Sequence, residues 1–369
     1  MQVGFISLTV AILVVLEAVI YRFFGRKKIT YTREYEPHTA FEGEKIVMTE
    51  KIANAKLLPM PWVRVESMLS PHLHYLAYEK DGETGKRKQV YGEHNSVFSI
   101  GPYSTVIRKY TMLCEKRGYY ALRAVNLTCQ DIFGIGEPQS AEAEINAAVT
   151  VYPRIADFTE LGDISKSMMG DVVVRRWIAE DPFMIRGTRD YTTSDPQSKI
   201  NWKASARTGS FVVNENDPTA DIKLYILFNV QADRWFRTDV DPDCIEEGVS
   251  KAAALLQFAA EHGITAAFAS NSVDSPLGEN RTGFGNGSGH LGELFRQLAC
   301  LSRESKVNFG RFLSEETGRG LTDCGILVMT AYWDDEIAEG VENLRREGNL
   351  VEIMMLDRTP GTFASEKEA

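Results

Sequence analysis

The chain has 369 residues, too long for one compact core and suited to about two soluble domains at roughly 150 residues each. Its formal net charge of -10 argues against a non-specific nucleic-acid binder, because displacing counterions from phosphates needs a basic face. Five cysteines, Cys114, Cys129, Cys244, Cys300 and Cys324, are scattered and lack CxxC spacing, so they fit a reducing compartment better than a disulfide framework or a zinc knuckle.

From Val3 to Ile20 the residues are apolar apart from Gly4, Ser7, Thr9 and Glu17. A helix of about 18 residues spans roughly 27 Å, close to the thickness of a bilayer core. Arg22, Arg26, Lys27 and Lys28 follow this run and nothing basic precedes it, the reverse of a cleaved signal peptide. Residues 1–28 therefore read as one span of the cell membrane with a basic flank, and the positive-inside rule puts the rest of the chain in the cytoplasm. Glu17 reads as a polar residue near the helix end; the alternative is a contact to another membrane helix, since an ionisable group at that depth is costly without a partner.

Residues 29–153 read as an all-β sandwich of about seven short strands. Alternation runs through Tyr31, Arg33 and Tyr35, turns at Glu42-Gly43-Glu44, and resumes with Ile46, Met48 and Ile52. Further turn signals fall at Asn54, Pro59-Met60-Pro61, Asp81-Gly82, Gly101-Pro102, Gly118 and Asp131. Trp62 reads as a core anchor and the charged tip Glu79 to Lys88 as a solvated hairpin.

The segment 154–220 holds the densest cluster of charge and aromatics: Arg186, Arg189, Asp190, Tyr191, Asp195, Trp202 and Arg207. Asp195 followed by Pro196 predicts a helix start, and Gly209 supplies a left-handed stop, giving a helix over roughly 196–208 before a short strand at Phe211-Val212-Val213. Residues 221–357 then alternate apolar strands with amphipathic helices. Strands are predicted at 224–230, 264–270, 326–330 and 350–356, with helices at 242–262, 291–303, 308–316 and 334–347. Such βαβ alternation implies a mostly parallel sheet with helices on both faces. The tail 358–369 is polar and reads as disordered.

Chemical motifs are sparse. Neither a GxSxG elbow nor a GxxxxGK[ST] phosphate cradle occurs, and His72 and His74 are the only close histidines. The string Gly287 to Gly292 matches GxGxxG, but a long loop separates it from the preceding strand, so it reads as part of a mobile loop. Asp239-Val240-Asp241-Pro242-Asp243 lacks the glycine and glutamate of a calcium loop and reads as a helix cap.

The cluster at 183–215 resembles the signature of the bacterial domain-of-unknown-function family fifty-eight (DUF58). The matching residues are Arg186, Arg189-Asp190-Tyr191, Asp195, Ile200, Trp202, Ala204, Ala206-Arg207 and the strand 211–213, with Ser194 where glycine is usual. Glu42-Gly43-Glu44, Pro61-Trp62, Arg117-Gly118-Tyr119, Asp131-Ile132-Phe133-Gly134 and Val151-Tyr152-Pro153 are similar to the family as well. The resemblance implies a membrane-tethered β-sandwich joined to a von Willebrand factor A-like domain. It further implies partners, a MoxR-type AAA+ ATPase and a transglutaminase-like membrane protein, and no established catalytic activity.

Domains of the von Willebrand type hold Mg²⁺ with Asp-x-Ser-x-Ser after the first strand. Here that position reads Asn229, Val230, Gln231, Ala232, Asp233, and Thr330 offers no carboxylate at the later strand, so no metal or other cofactor is expected. Two readings of the signature cluster follow. Its arginines and carboxylates form an internal clamp with Trp202 and Tyr191 as packing, or part of the set is exposed and docks a partner. Three functions are candidates: a membrane-anchored scaffold presenting a surface to the ATPase, an enzyme using Asp190, Tyr191, Asp195 and Arg207, or a metal-dependent adhesion domain with substituted ligands.

Overall fold

The computed structural model describes residues 2–80, 87–90, 93–134, 136–157, 161, 180–192, 200–218, 223–233, 241–276 and 278–356. The chain divides into two compact units, Met1–Arg154 and Ile155–Ala369.

In the first unit the apolar N-terminal run forms helix α1 (Gln2–Phe24), long and apolar enough over Phe5–Phe24 to cross a membrane. Its last turns belong to the sandwich. Tyr21 is buried in a cluster with Tyr31, Ile52, Met60 and Val63, and its hydroxyl donates to Pro59 O at 2.7 Å. Lys56 Nζ caps the helix end by donating to Gly25 O and Lys27 O at 2.8 and 2.9 Å, satisfying carbonyls that have no partner within the helix. Glu17 accepts a hydrogen bond from the backbone N–H of Ile132 at 3.0 Å. Its partner within the chain is thus a sandwich loop.

The strands of this unit are β1 (Ile29–Glu36), β2 (Thr39–Phe41), β3 (Lys45–Asn54), β4 (Met60–Met68), β5 (Leu73–Lys80), β6 (Arg87–Val90), β7 (Glu93–Ile100), β8 (Ser104–Cys114), β9 (Gly118–Gln130) and β10 (Gln139–Tyr152). They make two five-stranded sheets, ordered β1-β3-β8-β5-β6 and β2-β10-β9-β4-β7. The count exceeds the expected seven partly because β2 and β6 are short edge strands without an alternating apolar run. Ile46, Met48 and Ile52 of β3 face inward as their spacing predicts. Trp62 is not a core anchor: it is half-buried on β4, with the Arg64 guanidinium 5.6 Å from its ring centre.

The second unit opens with a hairpin-like pair, β11 (Glu180–Asp190) and β12 (Val212–Pro218), which brackets the short helix α2 (Trp202–Thr208). A parallel sheet follows, built from β13 (Lys223–Phe228), β14 (Thr265–Ser270), β15 (Cys324–Thr330) and β16 (Leu350–Met355) in the order β14-β13-β15-β16. Both faces of β13 and β15 are covered, which explains their unbroken apolar sequences.

The helices α3 (Pro242–Glu261), α4 (Gly287–Cys300), α5 (Phe309–Thr317) and α6 (Asp335–Arg346) start where the sequence placed polar caps, except α4. The side chains of Asp241, Asn308 and Asp334 accept from Asp243 N, Gly310 N and Ile337 N at 3.1, 2.7 and 2.9 Å. Phe309, Phe312 and Leu313 of α5 and Ile337, Val341 and Leu344 of α6 cover one face of the sheet. Gly248 lets α3 approach the other face, where an added Cβ would meet Phe228 at 3.0 Å. The segment before α4 is not a loose loop. It pairs with β14 through Gly285 and Ala266, which exchange two backbone hydrogen bonds of 2.8 and 3.1 Å.

Candidate functional sites

The described part of the signature cluster gathers on β11, α2 and the residues leading into β12. Tyr191 N donates to Phe211 O at 2.8 Å and Asn201 N to Val212 O at 2.9 Å, closing the pair of strands around α2. The helix starts at Trp202, later than the Asp195-Pro196 signal predicts. Asn201 is the cap, its side chain accepting from Ala204 N at 2.9 Å, while Asp195 and Pro196 lie outside the described residues. Gly209 terminates α2 at φ 74°, as expected for the left-handed stop. Ser205 is the helix's buried residue, and its hydroxyl accepts from Val212 N at 2.9 Å.

Packing through a small serine sends the larger side chains of α2 outward. Arg189, Asp190, Trp202 and Arg207 are all exposed. Arg189 donates to the carbonyl of Asp190 at 3.2 Å, and no ion pair among the described residues joins Asp190 to Arg207. Trp202 is 65% exposed and Phe211 58%, and their rings meet edge-on at 6.1 Å, with the Tyr191 ring also edge-on to Phe211 at 6.2 Å. The result is a row of three aromatic rings on an exposed helix and its flanking strands. Arg186 lies in β11.

At the C-terminal end of the parallel sheet, the residues read as a degenerate metal position form a closed amide network. Asn229 Oδ1 accepts from Gln231 N at 2.8 Å and from Asn271 Nδ2 at 3.1 Å, while its Nδ2 donates to Thr330 Oγ1 at 2.9 Å. The Thr330 hydroxyl donates to Tyr332 O at 2.5 Å. Gln231 Oε1 accepts from Phe309 N at 2.8 Å and its Nε2 donates to Asp233 O, also at 2.8 Å. Asn229, Gln231, Asn271 and Thr330 are all buried. Their polar atoms thus fasten three strand ends to the start of α5. No group of three histidine, cysteine or acidic side chains among the described residues is arranged to hold a metal ion.

No family model matches the chain. It is 23% identical over 290 residues to the uncharacterized protein YeaD of Bacillus subtilis, an alignment covering 78% of this chain and 66% of that protein. The chain therefore spans a little under two thirds of that relative. Solved structures similar to it include the CARDB domain of the PF1109 protein from Pyrococcus furiosus (14% identity, 34% of this chain and 94% of that one, TM-score 0.22). A non-cellulosomal cohesin from Archaeoglobus fulgidus gives 16% identity over 33% of this chain and 91% of that one, with a TM-score of 0.23. The sporulation control protein Spo0M from Bacillus subtilis gives 15% identity over 44% and 58%, with a TM-score of 0.19. At such scores these likenesses carry no functional argument.

Two buried charge networks had not been anticipated. In the sandwich, Arg33 Nη2 and Glu50 Oε1 lie 2.6 Å apart with both side chains fully buried. Tyr31 donates to the same oxygen at 2.6 Å, Ser96 to the other at 2.8 Å, and Arg33 reaches Ser67 at 3.0 Å, so the network joins the two sheets. Burial, opposed by Arg33 and reinforced by Glu50, pushes the Tyr31 hydroxyl far above its usual range. In the α/β unit, Glu316 is fully buried and accepts from Tyr225 Oη at 2.6 Å and from Arg281. The sandwich signal lay in the alternation: Arg33 shares its face with Tyr31 and Tyr35, and Glu50 with Met48 and Ile52.

Proposed function

We propose that this chain is a single-pass membrane scaffold whose two compact units lie in the cytoplasm, and that the signature surface recruits a MoxR-type AAA+ ATPase complex. One observation carries the docking role: Arg189, Trp202, Arg207 and Phe211 stand exposed together on a short, capped helix and its flanking strands. Arginine and tryptophan dominate interface hot spots, and a preformed surface of this kind loses little entropy on binding. The membrane reading rests on the length of α1, and the orientation on Arg22, Arg26, Lys27 and Lys28 at its C-terminal end. The parallel sheet with helices on both faces supports a von Willebrand A-like domain whose metal position is occupied by a closed amide network.

The test is recovery of the ATPase with the tagged full-length chain from native membranes. R189E and W202A variants should fold normally and recover several-fold less of the MoxR-type ATPase. Equal recovery by both variants would remove this surface as the docking site.

A further inference from the structure

The loop Asp131-Ile132-Phe133-Gly134 presents two adjacent large apolar side chains, Ile132 at 52% and Phe133 at 60% exposure. Its shape is fixed. The buried Asp131 accepts from Gly136 N at 3.0 Å, Gly134 N closes a turn on Asp131 O, and Gly134 takes φ 66°.

The position of the loop along α1 gives the two side chains a role. Ile132 N donates to Glu17, and Glu17 lies seven residues before the end of the helix, about 10 Å along its axis from Phe24. Beyond Glu17 toward the sandwich the helix exposes Val19, Ile20, Phe23 and Phe24. Gln139 Nε2 donating to Arg22 O at 2.8 Å and Arg26 donating to Ser140 O at 3.1 Å hold the same corner of the sandwich against the helix. Any bilayer that accommodates the apolar run through Phe24 therefore also receives the tip of this loop.

From this placement we infer that Ile132 and Phe133 are a membrane wedge, inserted among the lipids of the leaflet beside α1. The inference rests on the proposed membrane span. The occupant is lipid, because the loop is level with lipid-facing side chains of the span and its two exposed residues are apolar and aromatic, a composition suited to the bilayer interface. Glu17 then has a local purpose. Its carboxylate accepts the loop's backbone N–H at a depth where an unpaired N–H would be costly, so it positions the wedge. A helix tied to its domain through Glu17, Tyr21 and Lys56 and flanked by an inserted loop would hold the sandwich at a set height and angle above the membrane.

Spin labels on the full-length protein in phosphatidylcholine/phosphatidylglycerol proteoliposomes test this, with each cysteine introduced in a C300S background. L13C reports on the span, F133C on the wedge, and M68C on the far end of β4, about 26 Å along the strand. The expected result is that F133C, like L13C, collides readily with oxygen and is shielded from a water-soluble nickel chelate, whereas M68C shows the opposite. A water-exposed F133C beside a lipid-exposed L13C would overturn the wedge and leave the span standing. An F133C shielded from both reagents would mean that protein covers the loop, which also overturns it. A water-exposed L13C would overturn the span and the wedge together.

Discussion

Asn271 Nδ2 donates to Asn229 Oδ1 at 3.1 Å, while Asn271 Oδ1 accepts from the backbone N–H of Val230 at 3.0 Å, so Asn271 grips both the side chain of Asn229 and the backbone that follows it. The pairing depends on amide chemistry. An aspartate at 229 would keep the acceptor but replace the donor to Thr330 with a second acceptor, and it would place a charge in a fully buried position.

N229D should accordingly destabilise the α/β unit by about 1–3 kcal/mol, the range for an unsatisfied buried polar group. Urea titration of the variant with and without millimolar Mg²⁺ measures this. The midpoint should drop and stay down in Mg²⁺; full rescue by the ion would show that the position can still assemble a metal site.

The buried Arg33–Glu50 pair makes a sharper stability prediction. Removing one partner leaves the other charge uncompensated between the sheets, so E50Q and R33M should each cost about 3–5 kcal/mol. The double variant should cost less than the sum of the singles, because it leaves no unpaired charge. Thermal unfolding in detergent would report the non-additivity, and strictly additive losses would mean that the two side chains do not stabilise one another.

A pH dependence follows from the contact between β5 and the residue after β8. His74 Nε2 lies 2.5 Å from Glu115 Oε2, and this hydrogen bond holds the Glu115 carboxyl below its usual range, assisted by the charges of His74, His72 and Lys116 and opposed by slight burial. A carboxylate with a depressed folded pKa contributes stability above its unfolded value of about 4.3 and loses it as pH falls through the lower folded value. The melting temperature of the native protein should exceed that of E115Q at pH 6, and the gap should close below about pH 4. A gap independent of pH would assign the effect of E115Q to packing.

Elements whose signals are local were legible in the sequence. Asp241 with Pro242, Asn308, Asp334 and Gly263 mark helix ends through their own backbones and nearest neighbours, and the structure uses all four. Non-local relationships were not legible. Asn271 meets Asn229 across 42 residues and Ile132 meets Glu17 across 115, and no periodicity in either segment encodes the other. The signature cluster falls between these cases. Its residue types were conspicuous, but which arginines face outward depended on whether α2 packs through Ser205 or through its longer side chains. Arg33 shows a different failure: its alternation with Tyr31 and Tyr35 placed it inward, and only the expectation that charges stay at the surface hid it.

The five cysteines offer a test of both units at once. None is disulfide-bonded, four are buried and Cys300 is partly accessible on α4. Burial pushes the thiols of Cys114 and Cys129 up to about 11, with a small further rise at Cys114 from Glu44 and an opposing pull at Cys129 from Lys56 and Arg26. At pH 8 both are almost wholly in the unreactive thiol form, and their access is blocked as well. Brief alkylation of the folded protein should modify Cys300 first, with the other four reacting only on unfolding, as read by mass spectrometry of proteolytic peptides. Early modification of Cys129 would show that α1 leaves its place against the sandwich, because Cys129 shares a buried cluster with Tyr21 and Met60. E17L, which removes the acceptor for Ile132 N, should then raise the rate at Cys129 without changing that at Cys114, which belongs to a separate cluster around Met48 and Met112. Equal acceleration at both sites would instead indicate loosening of the whole sandwich.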